Sequence, residues 1–207
     1  MKKIITLLLA VMMLVPAFAM ADDVIKIGVY EPASGSNGAG GKQETLGVQY
    51  ANQETPTVEI GGTTYKVELV IADNGSENDK APSAAQQIIS AGASIALGSY
   101  GSGVSIAGSE YFKNANIPVI GLTCTNPQVT AGNSHYFRVC FLDPFQGTVL
   151  ANYAFKELGV KTAYCLGELG NDYDQGLINY LRKHSKRWVA RSSPSPSPPT
   201  PRTSLHT

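Results

Sequence analysis

Ser102 stands directly after a glycine-rich turn, in the stretch Gly98-Ser-Tyr-Gly-Ser-Gly103, which follows the apolar run Ser94–Leu97. A strand entering a helix through such a turn gathers three things at one point: free backbone N–H groups (Gly103's among them), the positive helix end and the Ser102 hydroxyl. That chemistry suits a carboxylate. The same serine can equally serve as a helix N-cap, so this loop alone leaves both readings open. A second polar loop, Thr123-Cys-Thr-Asn-Pro127, follows the apolar run Pro118–Leu122. Thr123 and Thr125 offer hydroxyls and exposed carbonyls to an ammonium, while Asn126-Pro127 fixes the turn. In isolation this is also an ordinary Thr/Asn/Pro turn. Two such loops meeting at one sheet edge point to a site for a small zwitterion.

Catalytic constellations fail on inspection. Gly41-Lys42 resembles the end of a phosphate-binding loop, but Ser36 replaces its first glycine and Gln43 its magnesium-binding hydroxyl residue. Gly38 and Gly40 begin no dinucleotide fingerprint, and Tyr100 stands where a nucleophile elbow around Ser102 needs glycine. His135 is the one histidine between residues 22 and 181, so a Ser–His or Cys–His arrangement would depend on it alone. The three cysteines, Cys124, Cys140 and Cys165, form no C-x-x-C and have no neighbouring histidine, which speaks against a zinc site or a disulfide framework. They read as small buried residues near strand ends, with a single Cys124–Cys140 bridge left open. The expectation is a binding module that is not an enzyme, with no metal and no cofactor.

The elements that must position these loops alternate. Val24–Tyr30 is a short apolar run suited to a buried parallel strand. A Gly/Ser-crowded loop over 31–41 leads to a helix over 42–53. Val58-Glu-Ile60, Gly61-Gly62 and Thr63-Thr-Tyr65 form a hairpin, continued by a strand over 66–72. Asp79 is the expected N-cap of a helix with Ala84, Ala85, Ile88 and Ile89 on one face. Strand 94–97, helix 103–116, strand 118–122, an extended 136–141, helix 144–158, strand 162–166 and a helix from 172 follow. Such alternation predicts an α/β fold, a parallel sheet with helices on both faces, whose ligands bind beyond the carboxyl ends of the strands.

Charge and the chain ends add context. All 16 acidic residues but only eight of the 16 basic ones lie between Ala21 and Leu181, a net of −8. No basic stripe runs through that body, so nucleic acid is not an expected partner. Lys2-Lys3, the apolar Ile4–Val15 and the small-x-small Ala19-Met20-Ala21 predict a signal peptide over 1–21. The apolar stretch is too short for a membrane span, and no cysteine follows it to carry a lipid anchor. The mature protein is therefore expected in the periplasm or outside the cell. Residues 182–207 hold six basic and no acidic residues and five of the chain's 12 prolines. They read either as a disordered basic tail or, preferably, as an out-of-frame continuation. A two-base shift forces a glycine codon across Trp188 and Val189 and permits a helix end, a Gly-Gly stop and a strand.

Taken in order, Ile25-Lys-Ile-Gly-Val, Ser34-Gly35, Ala72-Asp73-Asn74, Leu97-Gly98 with Ser102, Thr125-Asn126-Pro127 with Thr130, Phe137-Arg138, Asp143-Pro-Phe-Gln-Gly147 and Asp172-Tyr-Asp-Gln-Gly-Leu177 resemble the leucine/isoleucine/valine-type periplasmic binding proteins of ABC transporters. The resemblance covers about Val24 to Leu181. It implies the type I periplasmic binding fold, two α/β lobes that close on a ligand by hinge motion. Carried onto this chain, it implies that Ser102 contacts the ligand carboxylate. Thr123 and Cys124 lend backbone groups, Thr125 lends backbone and hydroxyl, and Tyr173 approaches from the second lobe. Gly40 departs from the family, which often places there an aromatic against the ligand side chain, and Cys124 stands where alanine or serine is common.

The implied division is an incomplete first lobe over 22–141 and the start of the second over 142–181, a chain shorter than the family's, expected to fold poorly alone and to be inactive by itself. The implied function is a monomeric receptor delivering an amino acid, leucine-like by default, to a membrane permease of an ABC transporter. A sensory ligand-binding domain of the same fold is the alternative, and an exported hydrolase using Ser102 or Cys124 a more distant one.

Overall fold

In the computed structural model, residues 23–185 and 191–192 are described. The expected signal peptide and most of the basic tail lie outside them. Among the described residues, eight strands and five α-helices alternate. Strand β1 (Val24–Glu31) is followed by α1 (Gly38–Glu54), the hairpin β2 (Thr57–Ile60) and β3 (Thr63–Asp73), and α2 (Ala81–Ser90). Next come β4 (Ile95–Gly98), α3 (Ser102–Asn114), β5 (Val119–Gly121), a short 3-10 turn (Pro127–Val129) and β6 (Tyr136–Arg138). The chain then crosses into α4 (Asp143–Asn152), a π-helical turn (Tyr153–Glu157), β7 (Tyr164–Cys165), α5 (Asp172–His184) and β8 (Arg191–Ser192).

Six strands form the main sheet in the order β2-β3-β1-β4-β5-β6. Only the β2–β3 hairpin is antiparallel, its turn made by Gly61 and Gly62 at φ 60° and 84°, a conformation that favours glycine. β7 and β8 pair in parallel as a separate ladder. The period of two in β1 decides what covers each face. Gly28 and Tyr30 face α2 and α3, whose Ile88 and Phe112 are fully buried with them. Ile27 and Glu31 face α1. Helices therefore cover both faces, as the alternation predicts.

The core on the α2/α3 side is dense. Phe112 meets the Tyr30 ring edge-on at a centroid distance of 5.3 Å and an angle of 78°. The Tyr30 hydroxyl, buried with its ring, donates to the carbonyl of Val104 at 2.9 Å and lies 3.3 Å from that of Ala81. Burial and the neighbouring Glu31 push its ionisation far above the ordinary tyrosine range. The α1 side is looser. An apolar groove of about 530 Å³ runs between Val48 and Ala51 of α1 and Ile27, Leu69, Leu97 and Leu122 of the sheet.

Three expectations need correction. Helix α1 begins at Gly38, four residues before the expected start at 42. Its glycines give close approach to neighbours, not a loop: a Cβ at Gly41 would sit 2.2 Å from the Pro32 carbonyl oxygen. Asp79 does not cap α2. Lys80 occupies that position without a side-chain cap bond, and the Glu77 carbonyl already accepts the Ala81 N–H at 3.2 Å. The helix read over 144–158 is α-helical only to Asn152. Beyond it the bonding widens, with the Leu158 N–H reaching the Tyr153 carbonyl at 3.1 Å.

Candidate functional site

At the carboxyl edge of the sheet, the connection after β1 leads to a helix on one face and that after β4 to a helix on the other. Such a divergence opens a crevice between strand ends. A cleft of about 830 Å³ lies there, walled on one side by the turns after β1, β3, β4 and β5, on the other by Phe141, Gln146 and the segment leading into α5.

Two residues brace the floor. The Asp73 carboxylate accepts from the Ala33 N–H at 2.8 Å, the Ser34 N–H at 3.3 Å, the Ser34 hydroxyl at 2.7 Å and the Gly75 N–H at 2.8 Å. Partial burial works against the charge, but these four donors outweigh it and hold the group below the ordinary carboxylate range. Asn74, fully buried, donates to the Ser99 hydroxyl at 2.9 Å and accepts from the Ser76 N–H at 3.2 Å. Together they lock the turns after β1, β3 and β4 to one another.

Ser102 is the first residue of α3, and the N-cap position is held by Gly101. The open alternative is thereby decided: the serine hydroxyl makes no cap bond to its own helix. It accepts instead from the Asn126 N–H at 3.3 Å, and its proton has no acceptor among the described residues. Ser102, Gly103 and Val104 all line the cleft, so the unpaired first N–H groups of α3 open there. Gly103 is fitted between two walls, its Cβ position 2.7 Å from the Asn78 side-chain oxygen and 3.1 Å from the Asp172 carboxylate.

The β5 turn divides its work. Thr125 lines the cleft, and its buried hydroxyl lies over the Asp143 carboxyl with its oxygen accepting from no described group. Beneath it Asp143, fully buried, donates its N–H to the Thr125 carbonyl at 3.1 Å. Burial pushes the Asp143 carboxyl upward, against the opposing pull of Thr125 and Arg138. Thr123 also lines the cleft, but its hydroxyl is engaged with the Glu44 carboxylate at 2.5 Å. Cys124 is fully buried and off the cleft wall, and its carbonyl accepts from the Arg138 guanidinium at 2.8 Å. Arg138 also binds the Asn126 carbonyl and the Thr130 hydroxyl, at 3.0 and 2.9 Å, so it holds the turn as a unit.

On the opposite wall, Tyr173 receives a hydrogen bond from the Gln146 amide at 3.0 Å. Asn171 caps α5, accepting from the Tyr173 and Asp174 N–H groups at 3.1 and 3.2 Å. The Asn126 amide reaches across to the Asp172 carbonyl at 2.8 Å. Asn171→Ala is therefore expected to cost about 1 kcal/mol, visible as a lower denaturant midpoint; no change would mean that water serves the α5 terminus equally well.

The structure thus brings Ser102, Gly103, Thr123, Thr125 and Tyr173 into one cleft and leaves Cys124 behind its wall. Sequence reasoning missed Tyr100. Its ring stands over Gly40, whose Cβ would lie 2.4 Å from the ring carbons. The Tyr100 ring thus takes the space that a side chain at position 40 would fill, and Gly40 was the one local signal for it. The cleft lining contains Glu77, Asp79, Glu168, Asp172 and Asp174 and no basic side chain, a field that favours an ammonium. Apolar ligand surface would meet Tyr100, Phe141 and Tyr173.

Nucleophilic chemistry finds little support in this geometry. Burial pushes the Cys124 thiol up to about 11, so little thiolate exists at neutral pH. All three cysteines are free, and the Cys124–Cys140 bridge is not formed. His135 engages Asn116 at 2.8 Å and Ser134 at 3.2 Å, not Ser102. Among the described residues no cluster of three metal-ligating side chains occurs, and no helix is long and apolar enough to cross a membrane.

Residues 24–189 match the family described as periplasmic binding protein. An amino acid binding protein of Pseudomonas aeruginosa is 33% identical over 184 residues, 87% of this chain and 48% of that protein. Leu/Ile/Val-binding protein homolog 1 of Brucella abortus is 32% identical over 167 residues, 80% of this chain and 44% of its own length. Among solved structures, the leucine binding protein LivK of Thermotoga maritima superposes with a TM-score of 0.78 at 33% identity, covering 83% of this chain and 49% of that one. LivJ of Streptococcus pneumoniae, solved with isoleucine, gives 0.73 at 29% identity, covering 82% and 49%. The chain spans about half the length of the relatives it matches.

Proposed function

The chain belongs to the periplasmic binding protein family, and on that premise we propose that the protein is an extracytoplasmic solute-binding receptor for a small zwitterionic amino acid. The observation that carries this reading is the pairing in one cleft of the α3 N-terminus, with the Ser102 proton unclaimed, and the Thr125 hydroxyl, whose oxygen accepts from no described group. The first suits a carboxylate. The second, with the acidic lining, suits an ammonium. Neither arrangement needs a reacting group.

The side-chain preference follows from likeness. Relatives include Leu/Ile/Val-binding homologues and a structure holding isoleucine, and the aromatic surfaces of Tyr100, Phe141 and Tyr173 suit an aliphatic body. The ligand is accordingly a branched-chain or related amino acid, handed to the membrane permease of an ABC transporter by a monomeric receptor. Residues 22–141 form the first lobe and residues 142–181 the start of the second, with the cleft between them. Residues 1–21 direct export.

Isothermal titration of the purified protein with L-leucine, L-isoleucine, L-valine, L-glutamate and L-lysine tests this. Saturable binding of the aliphatic members, with L-glutamate excluded by the acidic lining, is the result this site predicts, and it would overturn the expectation that the chain by itself is inactive. Binding of none, or of glutamate alone, would defeat the reading.

A further inference from the structure

Beside the cleft, the carboxyl groups of Glu31 and Glu44 meet. Glu31 ends β1 and is 1% exposed. One of its oxygens accepts the Tyr100 N–H at 2.7 Å. The other lies against the backbone of Gly98, whose Cβ position is 2.5 Å away, and has no partner unless a proton is supplied. Glu44, nearly two turns into α1, mirrors this. One of its oxygens accepts the Thr123 hydroxyl at 2.5 Å, and the other is buried without a partner. The two carboxyl groups are within hydrogen-bonding reach of each other.

We infer that Glu31 and Glu44 share one proton, and that this carboxyl–carboxylate bond is the positioning link between the Tyr100 and Thr123 loops of the cleft. A single proton between the two orphan oxygens satisfies both. The result is a continuous chain from the Tyr100 N–H through Glu31 and Glu44 to the Thr123 hydroxyl. If both groups were ionised, two like charges would face each other in a buried site, which strongly disfavours that state.

Burial, then the hydrogen bond and charge of Glu44, push the Glu31 carboxyl up to about 10, against the opposing Tyr100 N–H. The other titratable groups in play are Tyr30 on the same strand, which feels the Glu31 charge, and Cys140 beyond β6, which feels Glu44. Neither is positive at any pH. Because the folded-state value lies above the ordinary carboxyl value, the contribution to stability is complete below about pH 4.5. It is lost progressively as pH rises towards about 10. The loops joined by this pair are those assigned to the ligand, so its role in binding rests on the proposed function. The shared proton does not, and can be read without any ligand.

The decisive experiment follows the glutamate carboxyl carbons and the Tyr100 amide by NMR on the full chain between pH 4 and 10, with thermal unfolding in parallel. In the wild type, one carboxyl of the pair should stay protonated at pH 7 and the Tyr100 amide should move with its titration. Glu31→Gln places an amide that donates to Glu44 and accepts from Tyr100. Glu44→Gln donates to Glu31 and accepts from Thr123. Either variant should abolish the high titration and remove the alkaline fall in Tm, with a Tm about 5 °C or more above wild type at pH 9. Glutamate carbons that all titrate near pH 4.5 in the wild type would overturn the inference, as would a Tyr100 amide indifferent to pH or two amide variants less stable than wild type at pH 9.

Discussion

Phe112→Ala is expected to lower folding stability by about 3–5 kcal/mol. The ring is fully buried in α3, packs edge-on against Tyr30 at 5.3 Å and sits in the cluster that holds α2 and α3 to the sheet. Its removal costs the transfer energy of a phenyl group and leaves a cavity whose walls are strands and helix backbone, which collapse poorly. The Tyr30 hydroxyl, fixed between the Ala81 and Val104 carbonyls, cannot swing into the space without losing those bonds. Urea unfolding should show a lower midpoint at unchanged slope. A loss below about 1 kcal/mol would mean that the site repacks, and that the α2/α3 face is not the rigid support of the Ser102 loop. Because α3 carries both Phe112 and Ser102, the same packing that stabilises the fold aims the binding groups.

Ser102→Ala is expected to weaken binding of L-isoleucine by about 1–3 kcal/mol, roughly 5- to 150-fold in Kd, as for one charge-assisted hydrogen bond. The hydroxyl accepts from the Asn126 N–H and so keeps its proton for a ligand oxygen, while the α3 N–H groups remain in the variant and retain part of the affinity. Stability should change little, because the serine makes no cap bond and its loss leaves only a small void. Unchanged affinity would remove Ser102 from the site and leave the helix end alone as the carboxylate partner. A large loss of stability would instead assign the residue to the bond with Asn126.

The fold was legible because its period and its turns agree. The strands β1 and β3 to β5, the Gly61-Gly62 turn and the α2 face of Ala84, Ala85 and Ile88 follow from apolar patterning and glycine chemistry. Where the reading slipped, long-range contact overrode local preference. The glycines before residue 42 look like a loop, yet they are helical because Pro32 and Tyr100 approach too closely for side chains. Asp79 has the chemistry of a cap, but the preceding turn had already used the backbone of Glu77. Likewise, Thr123 and Thr125 have the same side chain two residues apart, and nothing local reveals that one meets Glu44 and the other the buried Asp143. The Asp73–Asn74 brace and the Glu31–Glu44 pair join residues 13 to 40 positions apart, which only the folded chain brings together.

The central claim is that one end of the cleft reads a carboxylate and the other an ammonium. Calorimetric titration of the purified protein with L-leucine, its C-terminal amide and its deaminated acid, 4-methylpentanoate, tests this most directly. Each analogue deletes one charge and keeps the aliphatic body. The account predicts that L-leucine binds and that both analogues bind at least about tenfold more weakly, since each leaves one set of polar groups unpaired. Equal affinity for all three would contradict it, for the cleft would then be holding the hydrocarbon and not the zwitterion.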